Sequence, residues 1–71
     1  MANGLKQLRE KKLITQEELS SASGVGVATI SRLETGKVRP SIRTIRSIAK
    51  VFNVPPEELY ETIVSGQYRL L

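Results

Sequence analysis

Lys37, Arg39, Arg43, Arg46 and Lys50 place five positive charges in one stretch that contains no acid. Such a run supports one kind of chemistry, the electrostatic capture of a polyanion. Three glutamates, Glu57, Glu58 and Glu61, follow with no base between them, so the net charge of +4 is polarised along the chain. Bond-making chemistry is poorly served. There is no His and no Cys, which removes the commonest general bases and nucleophiles and the usual zinc ligands. The three glutamates read as a helix start and a solvated face. No enzyme, no cofactor and no metal is therefore expected.

The scaffold that positions these charges must be small. Seventy-one residues make one domain with one core, and without Cys no disulfide can staple it. No apolar run approaches a membrane span and no signal-peptide pattern is present, so a cytoplasmic protein that avoids membranes is expected. Apolar residues recur three and four apart, the helical period. Leu5 and Leu8 define a first helix, roughly Asn3 to Lys12. Thr15 opens a second with Glu18 three residues on, a capping box, and Gly24 stops it; Leu19 and Ala22 are its expected buried face.

A third helix is predicted from Val27 to Thr35, ending at Gly36, and Pro40 forbids its continuation. Ser41 caps a fourth, whose Ile42, Ile45, Ile48, Ala49 and Phe52 form the longest apolar stripe; Asn53 ends it. Pro55-Pro56 with Glu57 and Glu58 starts a fifth helix, carrying Leu59, Tyr60 and Ile63 and stopping near Ser65-Gly66. The fold class is all-α, a five-helix domain over residues 1–65 with a short C-terminal tail, 66–71.

The third helix is unusual on its outer side. With Ile30 inward, Leu33 and Glu34 flank the buried stripe, and Ala28, Arg32 and Thr35 point outward with Thr29 and Ser31 at the shoulders. Val27, in the first turn, can reach forward past the helix end. A solvated face would carry several Lys and Glu; this one is small and bears a single cation, which suits insertion into something narrow. A tight Gly24-Val25-Gly26 turn joins it to the second helix, the spacing of a helix-turn-helix whose second member enters the DNA major groove. An αα corner without a partner fits that geometry equally well.

The stretch from Ile14 to Leu59 resembles the DNA-binding domain of the lambda and 434 phage repressors and Cro, the Cro/CI or xenobiotic-response-element type. The matching motifs are Q-E-E-L at Gln16–Leu19, G-V-x-x-x-T-I-S-R-L-E-x-G at Gly24–Gly36, and G-K-x-x-P at Gly36–Pro40. The resemblance implies a sequence-specific regulator of transcription that binds double-stranded DNA as a homodimer on a pseudo-palindromic operator. Its base contacts would fall to Val27, Ala28 and Arg32, flanked by Thr29 and Ser31. Phosphate contacts would fall to Thr15, Gln16, Lys37, Arg39, Ser41 and Arg43. The alternatives are plain capping for Thr15 and Gln16 and ordinary solvated charge for Lys37 and Arg39.

The resemblance also implies a buried ion pair between Arg9 and Glu34, which would otherwise reach to the rim of the core. It marks Glu17 and Glu18 as a possible RNA polymerase contact, though capping already accounts for both. Two residues depart from the family pattern: Leu13 stands where Gly is usual, so that turn must change conformation or use Leu13 as core, and Gly26 caps the third helix without a side-chain oxygen. Beyond Leu59, Tyr60, Ile63, Val64, Tyr68, Leu70 and Leu71 offer more apolar area than one inward helix face can use. They are the expected dimer interface, unless Ile63 completes the core and the tail is frayed. A protein-interaction adaptor would have lost Arg32 and the basic loop, and an antitoxin would need a longer tail. The regulator is the preferred reading.

Overall fold

Local signals set the helix ends. The computed structural model describes residues 4–65, in which there are five helices and no strand. They are α1 (Gly4–Lys11), α2 (Gln16–Ser23), α3 (Val27–Glu34), α4 (Ile42–Phe52) and α5 (Pro56–Ser65). The fold is all-α, as expected. At the start of α2 the capping box is complete: Thr15 Oγ1 accepts from the Glu18 N–H at 3.0 Å, and Glu18 Oε1 accepts from the Thr15 N–H at 2.8 Å. Ser41 Oγ does the same service for α4, accepting from the Thr44 N–H at 3.2 Å. Gly26 caps α3 with no side-chain hydrogen bond.

Helices α1, α3 and α4 end alike. In each, a left-handed residue donates three residues back and its successor donates five back, which satisfies carbonyls the helix leaves open. The pairs are Leu13 to Glu10 with Ile14 to Arg9, Gly36 to Leu33 with Lys37 to Arg32, and Asn53 to Lys50 with Val54 to Ala49. Gly36 and Asn53 suit this backbone; Leu13, at φ 60°, does not. The departure at Leu13 therefore changes the residue and leaves the turn as it is. Nor is Leu13 core, for it is 88% exposed.

The core joins Leu5 and Leu8 of α1, Leu19 of α2, Ile30 and Leu33 of α3, Ile45, Ile48, Ala49 and Phe52 of α4, and Leu59 and Ile63 of α5. Helix α2 packs on α3 and α4, α1 on α3 and α5, and α4 on α5; on α3, Ile30, Leu33 and Glu34 are buried while Val27, Ala28 and Arg32 are exposed. Three expectations need correction. Ala22 is exposed, because the inward side of α2 runs through Gln16, Leu19, Ser20 and Ser23. Ile42 is 78% exposed, since the first turn of α4 overhangs the core. Ile63 is only 6% exposed and belongs to the core, so it is withdrawn from the expected dimer surface. No helix among the described residues is long and apolar enough to cross a membrane.

The left-handed Leu13 provides a test. A non-glycine residue there costs ~1–2 kcal/mol, partly offset by the greater chain entropy of glycine when unfolded. Leu13→Gly is expected to stabilise the domain by roughly 1 kcal/mol, a rise of about 4–8 °C in Tm for a domain of this size. Thermal unfolding of the two proteins measures it, and a fall in Tm would mean that Leu13 makes a contact worth more than its strain.

Candidate nucleic-acid interface

The outward side of α3 is built by what its inward side must do. Burying Ile30, Leu33 and Glu34 leaves Val27, Ala28, Arg32 and Thr35 exposed, with Thr29 and Ser31 half-buried between the two sides. Thr35 Oγ1 lies 3.1 Å from the Ser31 carbonyl and turns its hydroxyl back onto the helix end. Among the described residues the Arg32 side chain makes no hydrogen bond or ion pair. It is a long cation on a surface of small groups.

The approach to α3 is set by the turn from α2. Gly24 takes φ 79°, which a glycine adopts without strain, and its N–H closes α2 onto the Ser20 carbonyl at 2.9 Å. Gly26 is extended, and a Cβ placed there would meet nothing within 4 Å. Its lack of a side chain is thus not a packing demand of the domain itself.

Beyond α3, Lys37 and Arg39 are exposed on the connecting loop and Arg43 is exposed in the first turn of α4. None of the three side chains has a partner among the described residues. Ser41 differs. Its hydroxyl accepts from the Thr44 N–H and lies 3.0 Å from Thr44 Oγ1, so the α4 cap occupies it. Thr15 likewise caps α2, though its hydroxyl proton stays available to an acceptor.

The rotation of α3 is fixed by one buried carboxylate. Arg9 Nε donates to Glu34 Oε2 at 2.6 Å, and Arg9 Nη2 donates to Glu34 Oε1 at 3.3 Å. Arg9 Nη1 donates to the Ile14 carbonyl at 2.9 Å, on the turn that Leu13 makes. Glu34 is 3% exposed and Arg9 9%. The Arg9 guanidinium is held above its ordinary pKa, chiefly by its hydrogen bond to Glu34 and against the cost of burial. The pair foreseen from the resemblance is therefore present and buried.

A third member was not foreseen. Gln16 Nε2 donates to Glu34 Oε1 at 2.9 Å, so the residue expected to grip phosphate has its side-chain amide turned inward. One signal was available in the sequence. A buried carboxylate has more acceptor sites than one guanidinium fork fills, and a glutamine at the first position of the adjoining helix is a ready donor. Tyr68, Leu70 and Leu71 lie outside the described residues; Tyr60 and Val64 are 40% and 56% exposed on the outer side of α5.

A helix-turn-helix family model matches residues 5–59, which takes in all of α2, the turn and α3. The chain belongs to the Cro/CI-type helix-turn-helix family. An uncharacterised helix-turn-helix transcriptional regulator of Archaeoglobus fulgidus is 43% identical over 60 residues, spanning 84% of this chain and 86% of its own. The transcriptional activator BcrR of Enterococcus faecalis is 40% identical over 78% of this chain and 27% of its own length. The transcriptional repressor RghR of Bacillus subtilis is 41% identical over 78% of this chain and 42% of its own length. No solved structure gives a significant match. The scaffold is thus found in regulators of both signs.

In this Cro/CI-type domain the Arg9–Glu34–Gln16 cluster makes a stability prediction. Breaking a buried pair by removing one partner costs ~3–5 kcal/mol, because the other charge is stranded. Arg9 cannot relieve that strain by losing its proton. A raised pKa means that its share of stability is present at all pH below the unfolded value and is lost only in strong alkali. Glu34→Gln is thus expected to lower stability by several kcal/mol at neutral pH, read by urea unfolding. Arg9→Met with Glu34→Leu, which strands no charge and leaves only the Gln16 amide and the Ile14 carbonyl to find water, is expected to recover most of the loss. A single variant as stable as the parent would place the pair at the solvated rim.

Proposed function

We propose that the protein is a sequence-specific, double-stranded DNA-binding transcriptional regulator that works as a homodimer on a pseudo-palindromic operator, with α3 in the major groove. The observation that carries this reading is the outward side of α3, where Arg32 stands on a surface of small side chains and, like the exposed Lys37, Arg39 and Arg43, has no side-chain partner among the described residues. Arg32 takes the role of base reader and reaches a guanine edge, where it can form a bidentate pair. Val27 and Ala28 have no hydrogen-bonding atoms and meet thymine methyls, with Thr29 and Ser31 at the margins. Lys37, Arg39 and Arg43 grip phosphates, together with the Thr15 hydroxyl and the main-chain N–H groups at the start of α2.

The two roles separate by experiment. Arg32→Ala is expected to lose about 1–3 kcal/mol of discrimination at one base pair in each half-site while keeping much of its general affinity. Lys37→Ala and Arg43→Ala are expected to weaken binding to every duplex and to flatten its salt dependence by about 0.9 per lost contact in a log–log plot. The probe is the duplex selected by the protein from random sequence. If Arg32→Ala weakened all duplexes alike, the base-reading assignment would be wrong.

The dimer is proposed on the outer side of α5. A single recognition helix offers few base contacts, and regulators of this type place two of them about one turn, ~34 Å, apart. Tyr60 and Val64 are one helical turn apart and exposed, and the tail from 66 to 71 supplies three more large apolar residues. Tyr60→Glu with Val64→Glu is expected to convert a dimer into a monomer in sedimentation and to weaken operator binding at least tenfold. A chain ending at Ser65 tests the tail separately. Unchanged mass for both proteins would place the dimer surface elsewhere.

A further inference from the structure

Charge is sorted between two neighbouring helices. On α5, Glu57 and Glu61 share one exposed stripe with Tyr60 and Val64, at helical spacing. On α4, Arg46 and Lys50 are exposed one turn apart, in a shallow groove with Ile42, Arg43 and Ser47. No carboxylate belongs to the lining of that groove. Arg46, Lys50 and Glu57 have no side-chain hydrogen bond or ion pair among the described residues. Helices α4 and α5 pack on each other, yet these cations do not meet the acids of the stripe within the chain.

A two-fold contact on α5 has to deal with those acids. In such a contact a patch meets its own symmetry mate, so a stripe lying on the axis would bring glutamates against glutamates. Displacing the contact toward a helix beside α5 removes the clash, if that helix brings cations. Helices α1 and α4 are the two that pack on α5. The cations of α1, Lys6 and Lys11, already have interactions of their own. Those of α4 have none, and Ile42, 78% exposed in the same groove, gives Tyr60 and Val64 an apolar surface to cover. Duplex DNA would also accept Arg46 and Lys50, but it would leave the acids of α5 unmatched.

We infer that the α4 groove of each protomer receives the α5 stripe of a second copy of the chain, with Arg46 and Lys50 set against Glu57 and Glu61. The two-fold axis makes the contact twice per dimer. The inference rests on the α5 dimer of the proposed reading and names the charges that set its register; Arg43, in the first turn of α4, stays with phosphate. Exposed ion pairs add little tightness, whereas like charges brought together are strongly unfavourable. The sorted charges therefore act mainly by excluding every other register.

The test is sedimentation of the full chain at low salt without DNA, so that duplex binding has no part in the result. Arg46→Glu with Lys50→Glu is expected to raise the dimer Kd about tenfold or more, because acids then face acids. Glu57→Lys with Glu61→Lys is expected to do the same with cations. An equimolar mixture of the two variants is expected to form a heterodimer, since both contacts again join opposite signs. One chain with all four changes keeps the parent's net charge, two cations having become acids and two acids cations, and is expected to dimerise as the parent does. Arg46→Gln with Lys50→Gln, which removes charge without reversing it, is expected to make the dimer Kd less sensitive to salt. Dimers that survive both reversals would overturn the inference, and so would an unchanged salt sensitivity. Monomers that neither the mixture nor the combined chain restores would overturn it too. A parent dimer that survives Tyr60→Glu with Val64→Glu would instead overturn the α5 dimer itself, and the two failures are distinct.

Discussion

A carboxylate taken out of water must be matched by donors on nearly every side, and Glu34 obtains them from two other helices. Arg9 supplies two N–H groups from α1 and Gln16 one from the start of α2. The remaining arm of Arg9 is used on the Ile14 carbonyl, between those two helices. The consequence is directional. An apolar pair of the same volume would hold the helices together as firmly, but contact between apolar groups has no preferred angle. A carboxylate with three fixed donors sets the rotation of α3 about its own axis, and that rotation decides which residues look outward. Arg32 and Ala28 are presented because Glu34 is not.

The same cluster accounts for the least comfortable residue in the chain. Leu13 occupies a left-handed turn that Gly or Asn would enter at less cost, and its side chain is left in solvent. The conformation survives because of its neighbour, Ile14. That residue packs against the core and its carbonyl meets Arg9, so another path between α1 and α2 would remove a core contact and strand a guanidinium arm. Each of those losses is comparable with the strain itself. The turn is therefore determined from both ends, and the residue within it tolerates the geometry.

Much of this was legible in the sequence, and the limits have physical causes. The Thr15 and Ser41 caps and the stops at Gly24, Gly36 and Asn53 are local chemistry, and each occurs where its residue type requires. The burial of Arg9 and Glu34 was legible through the family resemblance, because both positions flank apolar stripes. Ile42 lies in a first turn that overhangs the core, and Ala22 has a different cause. A short helix has so few turns that its inward side is set by the elements it packs against, and periodicity alone leaves a choice between neighbouring stripes. The bond from Gln16 to Glu34 spans eighteen residues of sequence; the residue types hint at it, but whether the two meet depends on the angle between two helices. Ile63 was assigned outward because the C-terminal segment holds many apolar residues. The packing of α5 instead buries Leu59, Thr62 and Ile63, a choice that puts a threonine inside and Tyr60 and Val64 outside.

The composition of the α3 surface also constrains how specificity can be achieved. On the proposed reading each half-site has one side chain, Arg32, able to make a bidentate contact, worth ~1–3 kcal/mol of discrimination. Two half-sites then supply about 2–6 kcal/mol, whereas specific and non-specific binding typically differ by ~4–10 kcal/mol. The remainder must come from methyl contacts at Val27 and Ala28 and from the energy of deforming the DNA between and beside the contacted bases. Small side chains favour both, because they let the helix backbone sit deep in the groove, and Gly26 places no side chain in the way at its entrance. A surface of this kind reads shape as much as hydrogen-bond pattern. Shape is read only while phosphates are gripped on both sides of the deformed segment. On the proposed reading the loop cations hold the register in which that deformation is felt, and they carry no sequence preference of their own.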